Sequence, residues 1–375
     1  MTTRFNIAVA GLVLGTTAAQ ADVSTPRQVA DRPSAHCQAP RWSPDGLHLA
    51  IDIYEPKKEL RETWIVKFSE DGRKVGEAKV TAGRASAAAR LGAKAPPVVE
   101  FAWAPDMKLL SKPYVFSSRG PKKNFDLFAD GAWLTTNPGN DGQPAWSPDG
   151  RFIAFTSQQT DSGDIMLIDL GGESDKPLQV TSWPTMTEYG PRWAPGKSAL
   201  LFTRSQTGNR GQDIGVVLDV KRARETTKMV TEWGGDEIRP SWSPDGTAVA
   251  FYANKGNEND KQFDLYVVNL DGSDPRRLAR DVVVDDHEGP VWTPDGTTLL
   301  YVKKDFKADN PVMWVRRDES AKGTLDTGTQ LNSDLSLYNA GGQLKLAFKA
   351  LGQRGSTEKT WERVYVVGFT MGDLK

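Results

Sequence analysis

One short motif recurs along the chain, and its repetition restricts the folds that the chain can adopt. In its full form the motif reads Pro-x-Trp-Ser-Pro-Asp-Gly. Seven copies, complete or degenerate, occur in chain order at Pro40–Gly46, Trp103–Met107, Pro144–Gly150, Pro191–Gly196, Pro240–Gly246, Pro290–Gly296 and Tyr338–Gly342. Their aromatic residues lie 43 to 61 residues apart, a period typical of propeller blades with four strands each.

Each copy of the motif combines a strand with a tight turn. The early proline suits the beginning of a strand, where no ladder N–H is needed, and tryptophan is a large apolar side chain for packing between sheets. Ser-Pro-Asp-Gly is a type I turn signal, in which proline presets φ and glycine ends the turn. Alternating apolar residues follow, such as Ile153 and Phe155. This period of two indicates a second strand with one buried face.

Further strands complete each unit and close the ring. A third strand follows a polar loop, as in Asp164–Ile168 and Asp264–Val268, and a fourth, outer strand ends most units. The seventh unit ends with its third strand, Val364–Val367, and Pro26–Ala30 resembles the segment Pro275–Ala279 of another unit. We therefore expect the mature N-terminus to supply the missing outer strand, which removes exposed sheet edges. The sequence predicts an all-β, seven-bladed β-propeller, with six blades as the alternative because units two and seven are irregular.

The first 21 residues have the features of a secretory signal peptide. Arg4 provides a positive start, an apolar run extends from Phe5 to Leu14, and Ala19-Gln20-Ala21 fits an A-x-A cleavage site. The run is shorter than the roughly 20 residues of a membrane-spanning helix, and no later segment is long enough. We expect cleavage before Asp22, one propeller domain over residues 22–375, no membrane span, and a periplasmic or secreted location. A buried N-terminal strand or helix is the alternative.

Composition excludes several classes of function. The chain has 47 basic and 48 acidic side chains and a formal net charge of −1, which gives no reason to expect a nucleic-acid partner. A single cysteine excludes an internal disulfide and any zinc site built on several cysteines. The only histidines are His36, His48 and His287, so a three-histidine metal centre is not expected.

The repeated units resemble the WD-type propeller repeats of the TolB family. The resemblance covers about residues 26 to 369 and is specific, because the motif recurs with regular spacing. It implies a periplasmic envelope protein that docks partners on one propeller face. TolB itself carries an α/β domain before a propeller that usually has six blades. Here only about twenty residues separate the expected cleavage site from Trp42, so the chain is TolB-like rather than TolB proper.

Two enzyme classes have similar propellers. Prolyl-oligopeptidase-like peptidases also carry a catalytic domain, but this chain has no Gly-x-Ser-x-Gly nucleophile elbow and no room for a hydrolase domain. The chain resembles more loosely the seven-bladed oligogalacturonate lyases, which hold a metal with several histidines. The scarcity of histidine argues against such a centre here.

One register of the repeat holds four titratable residues. Asp141, Glu188, Glu237 and His287 each lie five positions before the motif tryptophan, in units three to six. Because the motif strand is innermost in this kind of propeller, equivalent positions before it form an arc around the channel mouth. We predict these four as ligand-binding residues, which could hold a hard cation such as Ca²⁺ or contact a cationic or hydroxyl-rich ligand. The alternative is that short polar side chains suit solvated loops.

The sequence favours a binding function without catalysis. Long polar connections between second and third strands share one face, opposite the compact motif turns, and binding residues often lie on such loops. We expect a monomeric binding or scaffold protein that docks an envelope protein or a glycan on this loop-rich face, with no catalytic residue and no cofactor besides the cation. The alternative is a polysaccharide lyase or glycoside hydrolase that uses the acidic mouth, with His287 as general base.

Overall fold

The chain forms a ring of small antiparallel sheets. The computed structural model describes residues 23–82, 98–159, 162–172, 174, 176–206, 211–257, 261–284, 288–305, 309–355, 357 and 360–375. Within these residues, the strands form seven four-stranded sheets and one two-stranded sheet. The predicted all-β propeller of seven blades is confirmed, and the six-bladed alternative is wrong.

The sheets are numbered as blades 1 to 7 in the order of their first strands. Blades 1 to 6 are meanders in which consecutive strands pair. Their strands are His36–Trp42, His48–Glu55, Leu60–Phe68 and Lys74–Lys79 (blade 1); Val98–Trp103, Tyr114–Arg119, Phe125–Ala129 and Ala132–Trp133 (blade 2); Asp141–Trp146, Phe152–Ser157, Asp164–Asp169 and Leu178–Gln179 (blade 3); Met186–Trp193, Leu200–Gln206, Gln212–Val217 and Thr227–Met229 (blade 4); Glu237–Trp242, Ala248–Ala253, Phe263–Asn269 and Arg276–Val282 (blade 5); Val291–Trp292, Thr298–Val302, Val312–Arg316 and Lys322–Thr324 (blade 6).

Blade 7 takes its outer strand from the other end of the chain. Its first three strands are Ser333–Ala340, Gln343–Ala350 and Arg363–Thr370, and Arg27–Ala30 pairs antiparallel with the last of these. Val29, on that outer strand, is only 3% exposed. Closure of the ring by the N-terminal segment is therefore confirmed. A separate two-stranded sheet joins Thr329–Gln330 to Gly352–Gln353 beside this blade.

Helical structure is limited to short turns. Among the described residues these are Pro56–Lys58, Val220–Arg222, Ala223–Thr226 and Met371–Asp373. No helix in the described ranges is long and apolar enough to cross a membrane.

The motif turns form as the sequence predicts, and they define one face of the ring. In blade 5, Ser243 Oγ donates to Asp245 Oδ1 at 2.5 Å and accepts the backbone N–H of Ala248 at 2.9 Å. Gly246 follows with φ of 64°, where glycine has no steric penalty. Because neighbouring strands are antiparallel, all these turns lie on one face, here called the turn face. The connections that lead into the third strands and into each first strand lie on the opposite loop face.

Each motif tryptophan packs against the preceding blade. The indole N–H groups of Trp103, Trp193 and Trp242 donate to backbone carbonyl oxygens one blade back, those of Arg41 (2.9 Å), Ala145 (3.0 Å) and Arg192 (3.0 Å). First strands of neighbouring blades contact each other from blade 2 round to blade 7 and on to blade 1. Most of the apolar core lies between blades, so the ring is held by contacts between neighbouring sheets.

A β-bulge interrupts the first strand shortly before the tryptophan. In blade 3, Gly142 pairs with Thr156 but Ala145 pairs with Ala154, so the first strand carries one extra residue. Blades 1, 2, 4, 5 and 7 show the same irregularity. The residue three positions before the tryptophan has positive φ in blades 1 to 5, namely Ala39 (48°), Glu100 (53°), Gln143 (51°), Gly190 (65°) and Arg239 (56°).

Candidate functional site

The predicted ligand-binding carboxylates are buried between blades. Asp141, Glu188 and Glu237 lie at or near the start of the first strands of blades 3, 4 and 5, and each side chain is 0% exposed. Each faces the preceding blade. The interface between two neighbouring blades is here called a seam, and the three acids lie in three different seams. His287 lies outside the described residues. Ligand binding by these four residues stays a prediction, whereas the three acids have clear contacts within the ring.

Asp141 uses its oxygens inside the seam between blades 2 and 3. Ser157 Oγ donates to Asp141 Oδ1 at 2.6 Å, Asn137 donates to the other oxygen, and Ser117 Oγ donates to the Asp141 carbonyl at 2.8 Å. Across the seam lies Asp126, whose pKa is raised to about 6 by burial and by the neighbouring charge of Asp141. The pair therefore places one carboxyl from each blade side by side.

The next two seams repeat this arrangement. Burial, and to a smaller extent the nearby Asp164 carboxylate, raises the pKa of Glu188 to about 8. Burial likewise raises the pKa of Glu237 to about 7, with Asp213 adding to the effect. A carboxyl that holds its proton can donate to a carboxylate, so each seam can be joined by a shared proton.

The bulge explains why these acids face the seam rather than the channel. Side chains alternate between the two faces of a strand, and one extra residue reverses that alternation. A residue five positions before the tryptophan therefore faces the same way as the tryptophan, toward the preceding blade. The residues at and after the bulge face the centre of the ring instead.

A cavity of about 200 Å³ lies at the centre of the ring, toward the loop face. Its walls come from the first strands of blades 1 to 5 and from the residues that enter blade 6. The charged and amide side chains that line it are Arg41, Glu100, Gln143, Arg192, Arg239 and Glu288. Several blades thus present polar groups to one small space, which makes this cavity the candidate functional site.

Two of the arginines in the cavity are held by carboxylates. Arg41 makes a bidentate pair with Asp52, with distances of 2.7 and 3.0 Å, and Thr63 Oγ1 donates to the same Asp52 at 2.7 Å. Arg192 Nη1 lies 2.9 Å from Glu288 Oε2, a contact between blade 4 and the entry to blade 6. Both pairs are oriented by the ring itself, because their partners lie on different strands.

Glu100 differs from the other acid in the cavity. Its Oε2 accepts the backbone N–H of Gln143 at 2.9 Å, and in the described part of the chain it pairs with no cation. Protein atoms surround the carboxyl although it opens on the cavity, and this desolvation raises its pKa. Glu100 is therefore an uncompensated carboxyl that faces a ligand-sized space.

A second cavity, of about 350 Å³, continues toward the turn face. Prolines, leucines and tryptophans dominate its walls, among them Trp193, Pro240 and Leu335. Arg192 and Glu288 line both cavities. Their ion pair therefore lies where the polar upper part of the channel meets the apolar lower part.

The described side chains do not assemble a metal site. Within the residues that the structure describes, no group of three or more His, Cys, Asp or Glu side chains is placed to hold a metal ion. Asp141, Glu188 and Glu237 do not fit a joint Ca²⁺ site, because each has its own partners in its own seam. His36 pairs with Glu362 at 3.0 Å and His48 with Asp45 at 3.3 Å, in separate places.

Comparison with known proteins agrees with this architecture. No protein-family model matches the chain. The Tol-Pal system protein TolB of Bordetella avium is 27% identical over 197 residues, which cover 48% of this chain and 41% of that protein. This chain is a β-propeller whose sequence is similar to that of TolB. A dipeptidyl-peptidase 5 of Porphyromonas gingivalis is 24% identical over 256 residues, 55% of this chain and 37% of that protein. The TolB-like chain spans less than half the length of either relative.

Solved structures show the same fold at low sequence identity. An oligogalacturonate lyase in complex with manganese matches the TolB-like propeller with a TM-score of 0.59 and 10% identity, over 94% of this chain and 97% of that one. A puromycin-hydrolyzing peptidase of Mycobacterium tuberculosis matches with a TM-score of 0.60 and 12% identity, over 91% of this chain and 52% of that one. Binding proteins and enzymes share this scaffold, so function depends on the site.

The cavity residues were not identified from the sequence. The register three positions before the motif tryptophan holds Ala, Glu, Gln, Gly and Arg in blades 1 to 5, a mixture with no common chemistry. A usable signal was the proline at the next position of most copies, which fixes where the strand starts to bulge. Counting from that proline, rather than by strict alternation, leads to Gln143 and Arg239, whereas Phe101 stands in the place of the proline after Glu100.

Proposed function

We propose that this chain is an exported, non-enzymatic propeller that binds a protein partner of the cell envelope on its loop face. The observation that carries the proposal is the central cavity, where charged and amide side chains from six blades meet on one ring. A ring of tightly packed blades holds such side chains in fixed positions, which lowers the entropic cost of binding. The likeness to a Tol-Pal system protein favours a role in an assembly.

The loop face around the cavity has features suited to a protein interface. Lys255 Nζ lies 4.5 Å from the centre of the Trp233 ring, and the Arg204 guanidinium lies 5.8 Å from that of Trp183. Both tryptophans are at the entry to a first strand, hence on the loop face. Tryptophan and arginine are frequent among the residues that contribute most to protein binding, and charged rims steer partners and exclude wrong ones.

The predicted ligand-binding residues have a place in this proposal. Asp141, Glu188 and Glu237 would hold the beginnings of the first strands of blades 3, 4 and 5 in place through their contacts with the preceding blade. These strands line the mouth of the cavity. His287, which lies outside the described residues, is proposed from the sequence alone as a contact of the partner. A bound Ca²⁺ is not part of the proposal, since the three acids are separated.

Affinity capture from an envelope extract tests the proposed function. Glu232→Lys and Lys255→Glu reverse exposed charges on the loop face, and Lys221→Glu reverses an exposed charge on the turn face as the matched control. We expect the two loop-face variants to recover at least fivefold less partner than the wild type and the control. Equal recovery by all four proteins would contradict the proposal.

A second arm distinguishes binding from catalysis. The purified protein is incubated with oligogalacturonate and with neutral glucans, and unsaturated uronate absorbance and new reducing ends are measured. We expect neither signal above a heat-denatured control. Product formation would replace the binding proposal with the carbohydrate-active alternative, and retention on an immobilised glycan would change the class of the partner.

A further inference from the structure

We propose that the central cavity binds a small zwitterion of amino-acid to dipeptide size, with its ammonium group at Glu100 and its carboxylate at Arg239. The two residues occupy the same register on blades 2 and 5, with φ of 53° and 56°, and both line the cavity. In a ring of seven, blades three steps apart lie on nearly opposite sides of the channel. The cavity therefore has the Glu100 carboxyl on one side, here called the negative wall, and the Arg239 guanidinium on the nearly opposite side, here called the positive wall. This inference does not depend on the docking of a protein partner.

The negative wall is built to hold a bare carboxyl. A Cβ placed on Gly142 would lie 2.1 Å from Glu100 Oε2, so the absence of a side chain at Gly142 lets the carboxyl approach the neighbouring blade. There it accepts the N–H of Gln143 at 2.9 Å through that oxygen. No lysine or arginine of the described residues compensates the charge. A ligand ammonium would supply the missing cation and up to three N–H donors.

Three arginines line the cavity, and Arg239 is the one that forms the positive wall. Arg41 is committed to Asp52 by a bidentate pair, and Arg192 is paired with Glu288. A guanidinium has five N–H donors in a planar fork that matches a carboxylate. Of the three arginines, Arg239 lies farthest round the ring from Glu100, three blades away, and this position selects it as the partner of the ligand carboxylate.

The size and shape of the cavity limit the ligand. About 200 Å³ is available, which is below the usual range of drug-sized pockets and suits one or two amino-acid residues. The Arg192–Glu288 pair lies at the inner end of the cavity, so a ligand entering from the loop face meets this ion pair before the apolar lower channel. A neutral zwitterion also avoids adding net charge to a site whose own pairs are balanced.

Binding measurements with blocked ligands test the charge pattern. The full mature chain is titrated by calorimetry with each of the twenty amino acids and with twenty alanyl dipeptides. For the tightest ligand, the N-acetyl derivative lacks the ammonium and the C-terminal amide lacks the carboxylate. We expect each blocked derivative to bind at least tenfold more weakly than the parent. The proposal is overturned if no zwitterion binds below about 10 mM, a free energy near −3 kcal/mol, or if both derivatives bind as well as the parent.

Variants then locate the two charges. Glu100→Gln keeps an acceptor for the Gln143 N–H and should remove the preference for the free ammonium, and Arg239→Gln should remove the preference for the free carboxylate. Gly142→Ala keeps every charge but displaces the Glu100 carboxyl, and it should weaken binding at least fivefold. Glu225→Gln and Arg222→Gln are matched controls on exposed residues outside the cavity. Thermal unfolding confirms that each variant is folded, and unchanged ligand preference in folded Glu100→Gln would refute the assignment.

Discussion

The indole N–H of Trp242 donates to the backbone carbonyl oxygen of Arg192, 3.0 Å away on the first strand of the preceding blade. The same bond links blades 1 to 2 and 3 to 4, so it is a repeated contact between neighbouring blades. Trp42 and Trp146 break the series, because among the described residues their buried indole nitrogens have no hydrogen-bond partner. Trp146 and Trp242 are equally buried, each 8% exposed. The chain thus contains its own comparison between a tryptophan with this bond and one without it.

This comparison predicts different costs for the same substitution. Trp242→Phe and Trp146→Phe remove similar apolar surface, but only the first removes a hydrogen bond. A net hydrogen bond is worth about 1 kcal/mol, so we expect Trp242→Phe to lower the free energy of unfolding by about 1 kcal/mol more than Trp146→Phe. Urea unfolding followed by far-ultraviolet circular dichroism measures both values. Equal losses would show that the bond between blades adds no stability.

The buried carboxyl pairs predict how stability changes with pH. The pKa of Glu188 is about 8 in the folded protein, mainly through burial, against an ordinary value of 4.5. Between these values the folded state binds a proton that the unfolded state has released, so stability falls as pH rises. The stabilisation from this group is complete below pH 4.5 and lost above pH 8. We expect a loss on the order of 2–4 kcal/mol across this window.

Glu188→Gln isolates that effect, since glutamine imitates the protonated carboxyl. We expect the variant to match the wild type near pH 5 and to be the more stable protein at pH 9, as measured by thermal unfolding across the pH series. The stability of Glu232→Gln, a change at an exposed position, should show the same dependence on pH as that of the wild type. A Glu188→Gln curve that also runs parallel to the wild type would mean that Glu188 is ionised in the folded state.

The sequence predicted the fold because the repeat is explicit. The seven residues Pro-x-Trp-Ser-Pro-Asp-Gly specify the end of a strand, a tryptophan that packs between blades, and a turn. Each of these features can be recognised from residues that are neighbours in the sequence. The closing strand at Arg27–Ala30 was also predictable, because it resembles the outer strand of another unit and satisfies the one blade that lacks such a strand. The fourth strands of blades 3, 4 and 6 are only two or three residues long, too short for a firm pattern of their own.

The site was harder to predict because backbone geometry, not residue type, decides which side chains face the channel. Glutamate, glutamine and arginine rarely adopt positive φ, so Glu100, Gln143 and Arg239 give no sign of a bulge. The sequence predicts Asp141 and Glu188 at the mouth because they precede the innermost strand of their blades. The extra residue turns those acids into the seams, where three carboxyl pairs form between the third strand of one blade and the first strand of the next.

The motif serine predicts a further loss of stability. Ser243 is fully buried and accepts the backbone N–H of Ala248 at 2.9 Å. Ser243→Ala would leave that N–H unpaired, which costs about 1–3 kcal/mol. Blade 4 carries Ala194 at the equivalent position, so Ala194→Ser should raise stability by up to about 1 kcal/mol. Differential scanning calorimetry of the two variants checks both signs, and an unchanged stability of Ser243→Ala would show that the serine contributes nothing specific.

Closure of the ring by the N-terminal strand predicts that a single residue there affects the whole fold. Val29 is 3% exposed and packs with residues of blades 1 and 7, including Leu49 and Val366. Val29→Asp places a charge in this apolar seam, and an unpaired buried charge is strongly unfavourable. We expect a loss of at least about 3 kcal/mol, together with earlier proteolytic cleavage in blade 7, as measured by thermal unfolding and by limited proteolysis with mass spectrometry. Thr25→Asp changes an exposed residue just before the strand and is the control. It should leave the stability and the proteolytic cleavage pattern unchanged. Wild-type stability in Val29→Asp would mean that three strands suffice for blade 7 and that the ring does not need its N-terminal closure.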